Sequence, residues 1–139
     1  FVGLFTTLLE PDELLLEIAL PPMPPRSGWS ILEVARRHHD FALVGVTAVV
    51  VLNKKEQCEQ VRLVYFSVGE GPVQAHQAAA VLLGQKPTPE IIHEAAETAG
   101  QADVDPNSDI NASAEYRRHL VKILGRRALT EAVERARGG

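Results

Sequence analysis

The sequence predicts an α+β fold in which a three-stranded antiparallel meander is followed by helices packed on one face of that sheet. Two observations lead to this prediction. Valine-rich apolar runs, some of them alternating with polar residues, fill residues 29–72, and capping signals with helically spaced apolar residues fill residues 73–139. Because strands and helices are segregated along the chain, the two layers of an α+β domain are expected.

Length and composition limit the class of protein. The chain has 139 residues, of which 45% are hydrophobic and 23% are charged, and its formal net charge is -4. We expect one domain over residues 1–139. The acidic balance disfavours nucleic acid as a partner, because its backbone demands a basic face. No apolar run is long enough to span a membrane, and the single cysteine cannot form an internal disulfide, so a cytoplasmic location is expected.

Residues 1–28 are expected to form a leading strand and an arm. A turn at residues 10–12 precedes a strand candidate at residues 14–20. The prolines of residues 21–25 exclude a helix and predict a stiff arm, which could cross to a partner or to a missing part of the same protein. A plain connecting loop is an equally good interpretation. The start at Phe1 rather than a methionine indicates a cut through a longer chain.

The predicted sheet occupies residues 29–72. Its strands are expected at residues 29–37, 41–52 and 61–68, joined by His38-His39-Asp40 and by a polar loop. Cys58 is expected in a polar loop, beside Glu56 and Glu59. Neighbouring acids raise a thiol pKa, so a catalytic cysteine is not expected.

The second half predicts helices with recognisable ends. One helix is expected over residues 73–83, stopped by Gly84, and the next begins with Thr88 as its N-cap and ends near residue 101. Ser113 is expected to cap the last helix, which runs to about residue 135. Its Arg117-Arg118 doublet predicts either a solvated basic face or ion pairs with Asp109 or Asp105 that pin the preceding loop.

The motifs point to no chemistry of the chain's own. Adjacent histidines on an extended chain point in opposite directions, so His38 and His39 favour solvent-facing side chains over a shared metal site. The glycine-rich residues 69–72 lack the third glycine and the lysine of a phosphate loop, and Pro72 removes an amide donor. No serine lies in a nucleophile-elbow pattern. A small His/Asp hydrolase is therefore the weakest interpretation.

Three segments in register resemble the C-terminal domain of the FAD-binding medium subunit of carbon monoxide dehydrogenase-type molybdenum hydroxylases, a xanthine dehydrogenase-like family. They are LFTTLLEPDELL at residues 4–15, ARRHHDFA at residues 35–42 and SDINASAEYRRHL at residues 108–120. The resemblance covers essentially the whole chain. It implies an oxidoreductase complex in which electrons pass from a molybdenum centre through iron–sulfur clusters to FAD and on to an acceptor.

The resemblance also implies cofactors and partners. FAD would be held mostly by an N-terminal half of the same protein, whose glycine-rich loops are absent here. Molybdopterin would lie on a large molybdenum subunit and 2Fe–2S clusters on a small iron–sulfur subunit. This chain would be an accessory domain that helps close the flavin site and assemble the electron-transfer complex. The alternative is a stand-alone α+β interaction or dimerisation module without flavin.

The resemblance assigns candidate cofactor-binding residues by position. A short loop ending in an aspartate and a bulky apolar residue lies beside the flavin ring in the family, and Asp40 and Phe41 match it. Arg37 belongs to a basic doublet that braces this loop or a subunit interface. His39 replaces part of the family's usual Ile-Gly pair and would place an ionisable group near the ring. From the residues alone, Phe41 would instead be a core residue that opens a strand.

Overall fold

The computed structural model describes residues 6–138, and within them one antiparallel sheet has the strand order β1-β2-β3-β4. Its strands are β1 (Ser27–Ala35), β2 (Ala42–Leu52), β3 (Cys58–Phe66) and β4 (Val73–Gln74). The helices are α1 (His76–Leu82), α2 (Pro89–Thr98) and α3 (Ala114–Gly138), with a π-helical turn (Ala99–Asp103) after α2. None of these helices is long and apolar enough to cross a membrane.

The α+β architecture agrees with the sequence, but a fourth strand corrects the three-stranded prediction. The added strand is β4, whose two residues pair with Val64 and Tyr65 of β3. The sequence assigned these residues to the start of α1, which begins at His76 instead. A strand of two residues is too short to show the alternation that identifies strands in a sequence.

A second correction concerns the first strand candidate. The turn at residues 10–12 is present, closed by a hydrogen bond from the Glu13 amide to the Glu10 carbonyl at 3.0 Å. Residues 14–20, however, belong to no strand in the described part of the chain, although their leucines favoured one. Strand propensity needs a neighbouring strand to pair with, and no strand among residues 6–138 pairs with this segment.

Helix α3 packs against β1 and β2 at very short range, because β1 turns its smallest residues inward. A Cβ atom added to Gly28 would lie 2.0 Å from the Ala132 carbonyl oxygen, so only glycine permits this approach. Two residues further on, Ser30 is fully buried and donates a hydrogen bond to a Glu131 carboxylate oxygen at 2.8 Å. Trp29 lies on the opposite face and is half-exposed, and the Arg135 guanidinium of α3 lies 5.2 Å from the centre of its ring.

The centre of the core joins β3 to α3 through Tyr65. This side chain is fully buried, and its hydroxyl donates to the Val121 carbonyl at 3.2 Å. Gly125 leaves room for the ring, since a Cβ there would lie 2.0 Å from the tyrosine oxygen. Burial raises the pKa of the Tyr65 hydroxyl above its ordinary value. The polar end of this aromatic residue therefore has a hydrogen-bond partner inside the core.

Cys58 is the third correction. The sequence placed it by the polar loop, but it opens β3 and is buried. Its carbonyl accepts from the Gly84 amide at 2.8 Å, and its amide donates to the Gln85 carbonyl at 2.9 Å. The start of β3 is therefore joined to the end of α1. Burial raises the pKa of the thiol to about 11 and Arg137 lowers it in part, so burial and not the acidic neighbours indicated by the sequence is the cause of the shift.

The helix ends confirm most of the capping signals. Gly84 follows α1 with a φ of 76°, Thr88 accepts from the Ile91 amide at 3.4 Å, and Ser113 accepts from the Tyr116 amide at 3.1 Å. The start of α1 depends on a residue that the sequence did not indicate. The Asp103 carboxylate accepts from the Gln77 and Ala78 amides at 3.0 and 2.9 Å.

Candidate functional site

A cleft of about 400 Å³ lies at one end of the sheet, where three loops of the chain meet. The first loop joins β1 to β2 and contributes Asp40 and Phe41, and the second follows β3 over residues 67–70. The third precedes α3 and contributes residues between 107 and 111. The loops come from distant parts of the sequence, so their arrangement depends on contacts between them.

Arg117 of α3 connects the second and third loops to the start of β2, directly after the first loop. Its side chain is only 8% exposed, and its guanidinium donates to the Leu43 carbonyl, to the Ser67 carbonyl at 3.1 Å and to the Asp109 carboxylate at 2.7 Å. A guanidinium presents several donors in one plane, so one side chain can serve acceptors on three segments. The Leu43 carbonyl lies two residues after Phe41, so this contact positions the start of β2.

Asp109 organises the third loop around its carboxylate. Its Oδ1 accepts from the Asn111 and Ala112 amides at 2.8 and 2.9 Å, and its Oδ2 accepts from Arg117. These bonds favour the charged carboxylate, the Ala112 amide most, and they lower the pKa of Asp109 from 3.8 to about 2. Of the two interpretations of the arginine doublet, the structure agrees with the ion pairs that pin this loop and not with a solvated basic face, because Arg118 also pairs with Asp105 at 2.6 Å.

The first and third loops also contact each other directly. Arg36, the residue directly after β1, donates to the Asn111 side-chain oxygen at 2.8 Å. The bracing role that the sequence assigned to the basic doublet therefore agrees with the position of Arg36. These residues lie 75 positions apart, and no spacing rule in the sequence could have joined them.

Phe41 is the most accessible aromatic side chain at the cleft. It is 94% exposed, which contradicts the interpretation of this residue as part of the core. The strand β2 begins one residue later, at Ala42. The backbone before it is held by Asp40, whose carboxylate accepts from the Phe41 amide at 2.9 Å. The loop thus presents an aromatic ring to its surroundings on a locally braced backbone.

The structure separates the four predicted cofactor-binding residues into two groups. Asp40 and Phe41 line the cleft, whereas Arg37 and His39 line a neighbouring groove formed by residues 33–39. His39 has a φ of 65°, a conformation that is uncommon for residues other than glycine. The Arg37 carbonyl accepts from the Asp40 amide at 3.3 Å and closes the turn. Contact of Arg37 and His39 with a flavin stays a prediction.

The cleft contains no obvious place for a phosphate. Residues 69–71 line or border it, but Glu70 adds a negative charge and Pro72 has no amide hydrogen. Among residues 6–138, no cluster of histidine, cysteine, aspartate and glutamate could hold a metal ion. The chemistry that the cleft offers is an exposed aromatic ring beside fixed backbone and a buried arginine.

Comparison with known proteins identifies the family. Residues 29–132 match the family of CO dehydrogenase flavoprotein C-terminal domains. This match covers most of the chain and includes the three cleft loops. The chain therefore belongs to this family, and the resemblance found in the sequence is confirmed.

Individual relatives extend the match beyond the family's domain. The chain is 37% identical over 132 residues to the medium subunit of nicotine 6-hydroxylase from Paenarthrobacter nicotinovorans, and this match covers 95% of the chain. It is 30% identical over 136 residues, 98% of the chain, to subunit alpha of the 6-hydroxypseudooxynicotine dehydrogenase complex from the same organism. The chain spans 45% and 46% of these proteins, less than half of their length.

A solved structure confirms the fold. Carbon monoxide dehydrogenase from Hydrogenophaga pseudoflava, in a form that lacks the Mo-pyranopterin moiety of the molybdenum cofactor, contains a chain that superposes with a TM-score of 0.87 at 29% identity. The match covers 97% of this chain and 46% of that chain. The architecture described above is therefore that of one part of a medium chain.

Proposed function

We propose that this chain closes one side of the FAD site in the medium subunit of a molybdenum hydroxylase. The N-terminal half of the same protein would hold most of the FAD, including its pyrophosphate. A small subunit would carry the 2Fe–2S clusters and a large subunit the molybdopterin, so that electrons reach the flavin from the molybdenum centre. FAD supplies the redox chemistry in this arrangement, and this chain's residues shape its surroundings.

The observation that supports this proposal is the exposure of Phe41. A phenylalanine that is 94% exposed on a braced loop leaves its apolar ring in water, which is unfavourable unless a partner covers it. A flat aromatic cofactor is a suitable partner, because stacked or edge-to-face rings gain more than buried area alone. Because the chain belongs to a flavoprotein family, we propose that the isoalloxazine ring of FAD is this partner.

The described residues fit the ring end of FAD and not its phosphate end. Phe41 offers an apolar surface, and the Arg117 contacts hold the backbone behind it. The glycine-rich loop offers an acidic side chain and a proline where a phosphate needs amide donors. The N-terminal half must therefore supply the pyrophosphate cradle.

Each cleft residue has a role in this proposal. Phe41 excludes water from one side of the ring, and Asp40 holds the Phe41 amide so that the ring keeps its direction. Arg117 and Asp109 hold the three loops at a fixed spacing. Arg37 and His39 lie in the adjacent groove and are proposed to influence the flavin through the loop that they share with Phe41.

Replacement of Phe41 in the complete flavoprotein tests the proposal. Phe41→Ala removes an exposed side chain, so the free energy of unfolding should change by less than about 0.5 kcal/mol. The FAD content after gel filtration and the visible absorption spectrum of the flavin should change, because one side of the ring becomes open to water. Spectra and flavin-to-protein ratios of the purified variant measure both effects.

A matched control comes from the third loop. Ile110 is 98% exposed and does not line the cleft, so Ile110→Ala removes an equally accessible apolar side chain away from the proposed flavin position. Its flavin spectrum should stay unchanged. The proposal fails if Phe41→Ala leaves both FAD content and spectrum unaltered, and the module without flavin then becomes the better interpretation.

A further inference from the structure

The chain before the sheet exposes a long apolar segment that belongs to no strand or helix of the described structure. Five of its side chains are between 65% and 88% exposed: Leu14, Leu15, Leu16, Ile18 and Leu20. The backbone of residues 14–23 makes no hydrogen bond within residues 6–138. Exposed leucines in one contiguous segment are unfavourable in water, and backbone groups that are unpaired within the described chain are free to pair with a strand edge, so another surface is expected to cover this segment.

The order of residues in the segment is that of a half-buried strand. In an extended chain successive side chains point to opposite faces. Residues 14, 16, 18 and 20 are then all leucine or isoleucine, whereas the other face carries Leu15, Glu17 and Ala19. The first face is suited to a core and the second, through Glu17, to solvent. The pattern therefore predicts which side of the strand a partner sheet would bury.

The base of the segment is fixed to the sheet. The Arg26 carbonyl accepts from the Leu52 amide at 3.0 Å, and the Arg26 guanidinium pairs with Glu56 at 3.1 Å. The Ser27 hydroxyl donates to the Pro24 carbonyl at 2.6 Å. The prolines of residues 21–25 restrict rotation between this base and the leucines. The segment therefore leaves the sheet in a defined direction and acts as a stiff connector.

The residue ranges that match the family and its longer relatives indicate where the partner of this segment lies. The family's domain begins at residue 29, after the segment. The matches to the first two relatives cover 98% and 95% of the chain, so they extend into residues 1–28. More than half of each relative lies outside its match to this chain. The segment thus has counterparts in longer medium subunits but falls outside their C-terminal domain.

We propose that residues 13–20 form a β-strand of the neighbouring domain of the complete flavoprotein. The strand would pair with the edge of a sheet in that domain and bury the face formed by residues 14, 16, 18 and 20. This inference rests on the proposed function, because it takes the chain to be part of a longer flavin-carrying subunit. It adds the interface through which the two parts are held together.

Hydrogen exchange in the complete flavoprotein tests the pairing directly. The amides of residues 14–20 should exchange more than about 100-fold slower than in a peptide of the same sequence, because a paired strand must open before it exchanges. Exchange at the peptide rate overturns the inference. Protection that disappears on dilution to monomer also overturns it, because a second copy would then be the partner.

Two charge substitutions test the predicted face. Leu16→Lys places a charge on the buried side and should lower the melting temperature of the complete flavoprotein by several degrees. Glu17→Lys introduces the same side chain at the adjacent position on the solvent side and should leave the melting temperature unchanged. Equal effects of the two variants contradict the proposed face. If Leu16→Lys prevents folding, the exchange measurement on the unmodified protein still decides.

The two proposals can fail independently. If the complete protein binds FAD normally but the amide hydrogens of residues 14–20 exchange at the peptide rate, only the strand proposal is wrong. If the amides of residues 14–20 are protected but Phe41→Ala changes neither FAD content nor the flavin spectrum, only the proposed role at the flavin is wrong.

Discussion

Arg117 joins three segments of the chain at the cleft, and its removal should be costly. Arg117→Ala leaves the Leu43 and Ser67 carbonyls without their donor and Asp109 without its counter-charge. Breaking a buried ion pair typically lowers the free energy of unfolding by roughly 3–5 kcal/mol. Because Asp109 is half-exposed, we expect a decrease near the lower end of this range. Denaturant unfolding monitored by circular dichroism measures this loss.

Arg118→Ala provides the matched control for Arg117→Ala. Arg118 is the next residue and also pairs with an aspartate, but its partner Asp105 has a side chain that is 95% exposed. Exposed ion pairs contribute about 1 kcal/mol or less, so the unfolding free energy of this variant should remain close to that of the parent. Similar losses in the two variants would show that Arg117 does not hold the loops together.

The carboxylate of Asp109 gives the loop a dependence on pH. Its pKa is lowered in the fold from 3.8 to about 2, so the folded state favours the ionised form. The stabilisation is complete above about pH 4 and is lost as the pH falls from about 4 to about 2. Asp109→Asn cannot ionise, so the difference in unfolding free energy between parent and variant should shrink over this range. A difference that is independent of pH would contradict the assignment.

The Cys58 thiol should be stable in its neutral form and slow to react. Burial raises its pKa from 9.0 to about 11, and the folded state therefore loses stability as the pH rises between these values. At neutral pH, alkylation by iodoacetamide should be far slower in the native protein than in urea. Cys58→Ala should remove the cysteine's part of the alkaline dependence. Rapid native labelling would mean that the start of β3 opens readily.

At the scale of elements, the contact between α3 and β1 depends on a residue without a side chain. Gly28→Ala would place a Cβ 2.0 Å from the Ala132 carbonyl oxygen and 2.5 Å from the Ala136 amide nitrogen. The helix must then move away from β1, and such overpacking costs about 1–3 kcal/mol. Gly69→Ala is the control, because its Cβ would meet nothing closer than 3.7 Å. Thermal unfolding should separate the two variants, and equal melting temperatures would contradict the tight packing.

The long elements were predictable because each repeats a physical signal. The valine run of β2 and the capping residues Thr88 and Ser113 identified elements that the structure confirms. Strand β4 was missed because two residues show no period, and Cys58 was misplaced because polar neighbours hid the start of β3. Residues 14–20 carry a strand pattern without a partner in the described chain, so local sequence alone predicted pairing that the structure does not contain.

The candidate site was predictable only in part, because local sequence signals do not specify contacts between distant segments. A loop that carries Asp40 and Phe41 could be identified by resemblance, and the arginine doublet suggested a pinned loop. The contact between Arg36 and Asn111 and the Ser67 carbonyl's bond to Arg117 join residues far apart in sequence. Such contacts follow from the packing of α3 on the sheet, which a periodicity argument does not specify.

At the scale of the whole molecule, the proposed division of the flavin site predicts how the 139-residue chain behaves alone. In that proposal the described residues supply the aromatic side of the site, and the N-terminal half supplies the phosphate cradle. A single aromatic contact contributes about 0.5–1.5 kcal/mol beyond buried area. Binding must also offset about 4 kcal/mol or more of lost translational and rotational freedom, and a Kd of about 1 mM requires a net gain of roughly 4 kcal/mol after that cost. Free FAD should therefore bind to the isolated chain more weakly than that.

Equilibrium dialysis of the isolated chain against FAD measures this affinity, and circular dichroism first establishes that the chain is folded. The complete flavoprotein is the positive control, since its N-terminal half is proposed to hold the pyrophosphate. A folded chain with no measurable binding agrees with a divided site. Micromolar binding by the folded chain would mean that residues 6–138 contain a phosphate site of their own, and the division of FAD between two halves would be wrong.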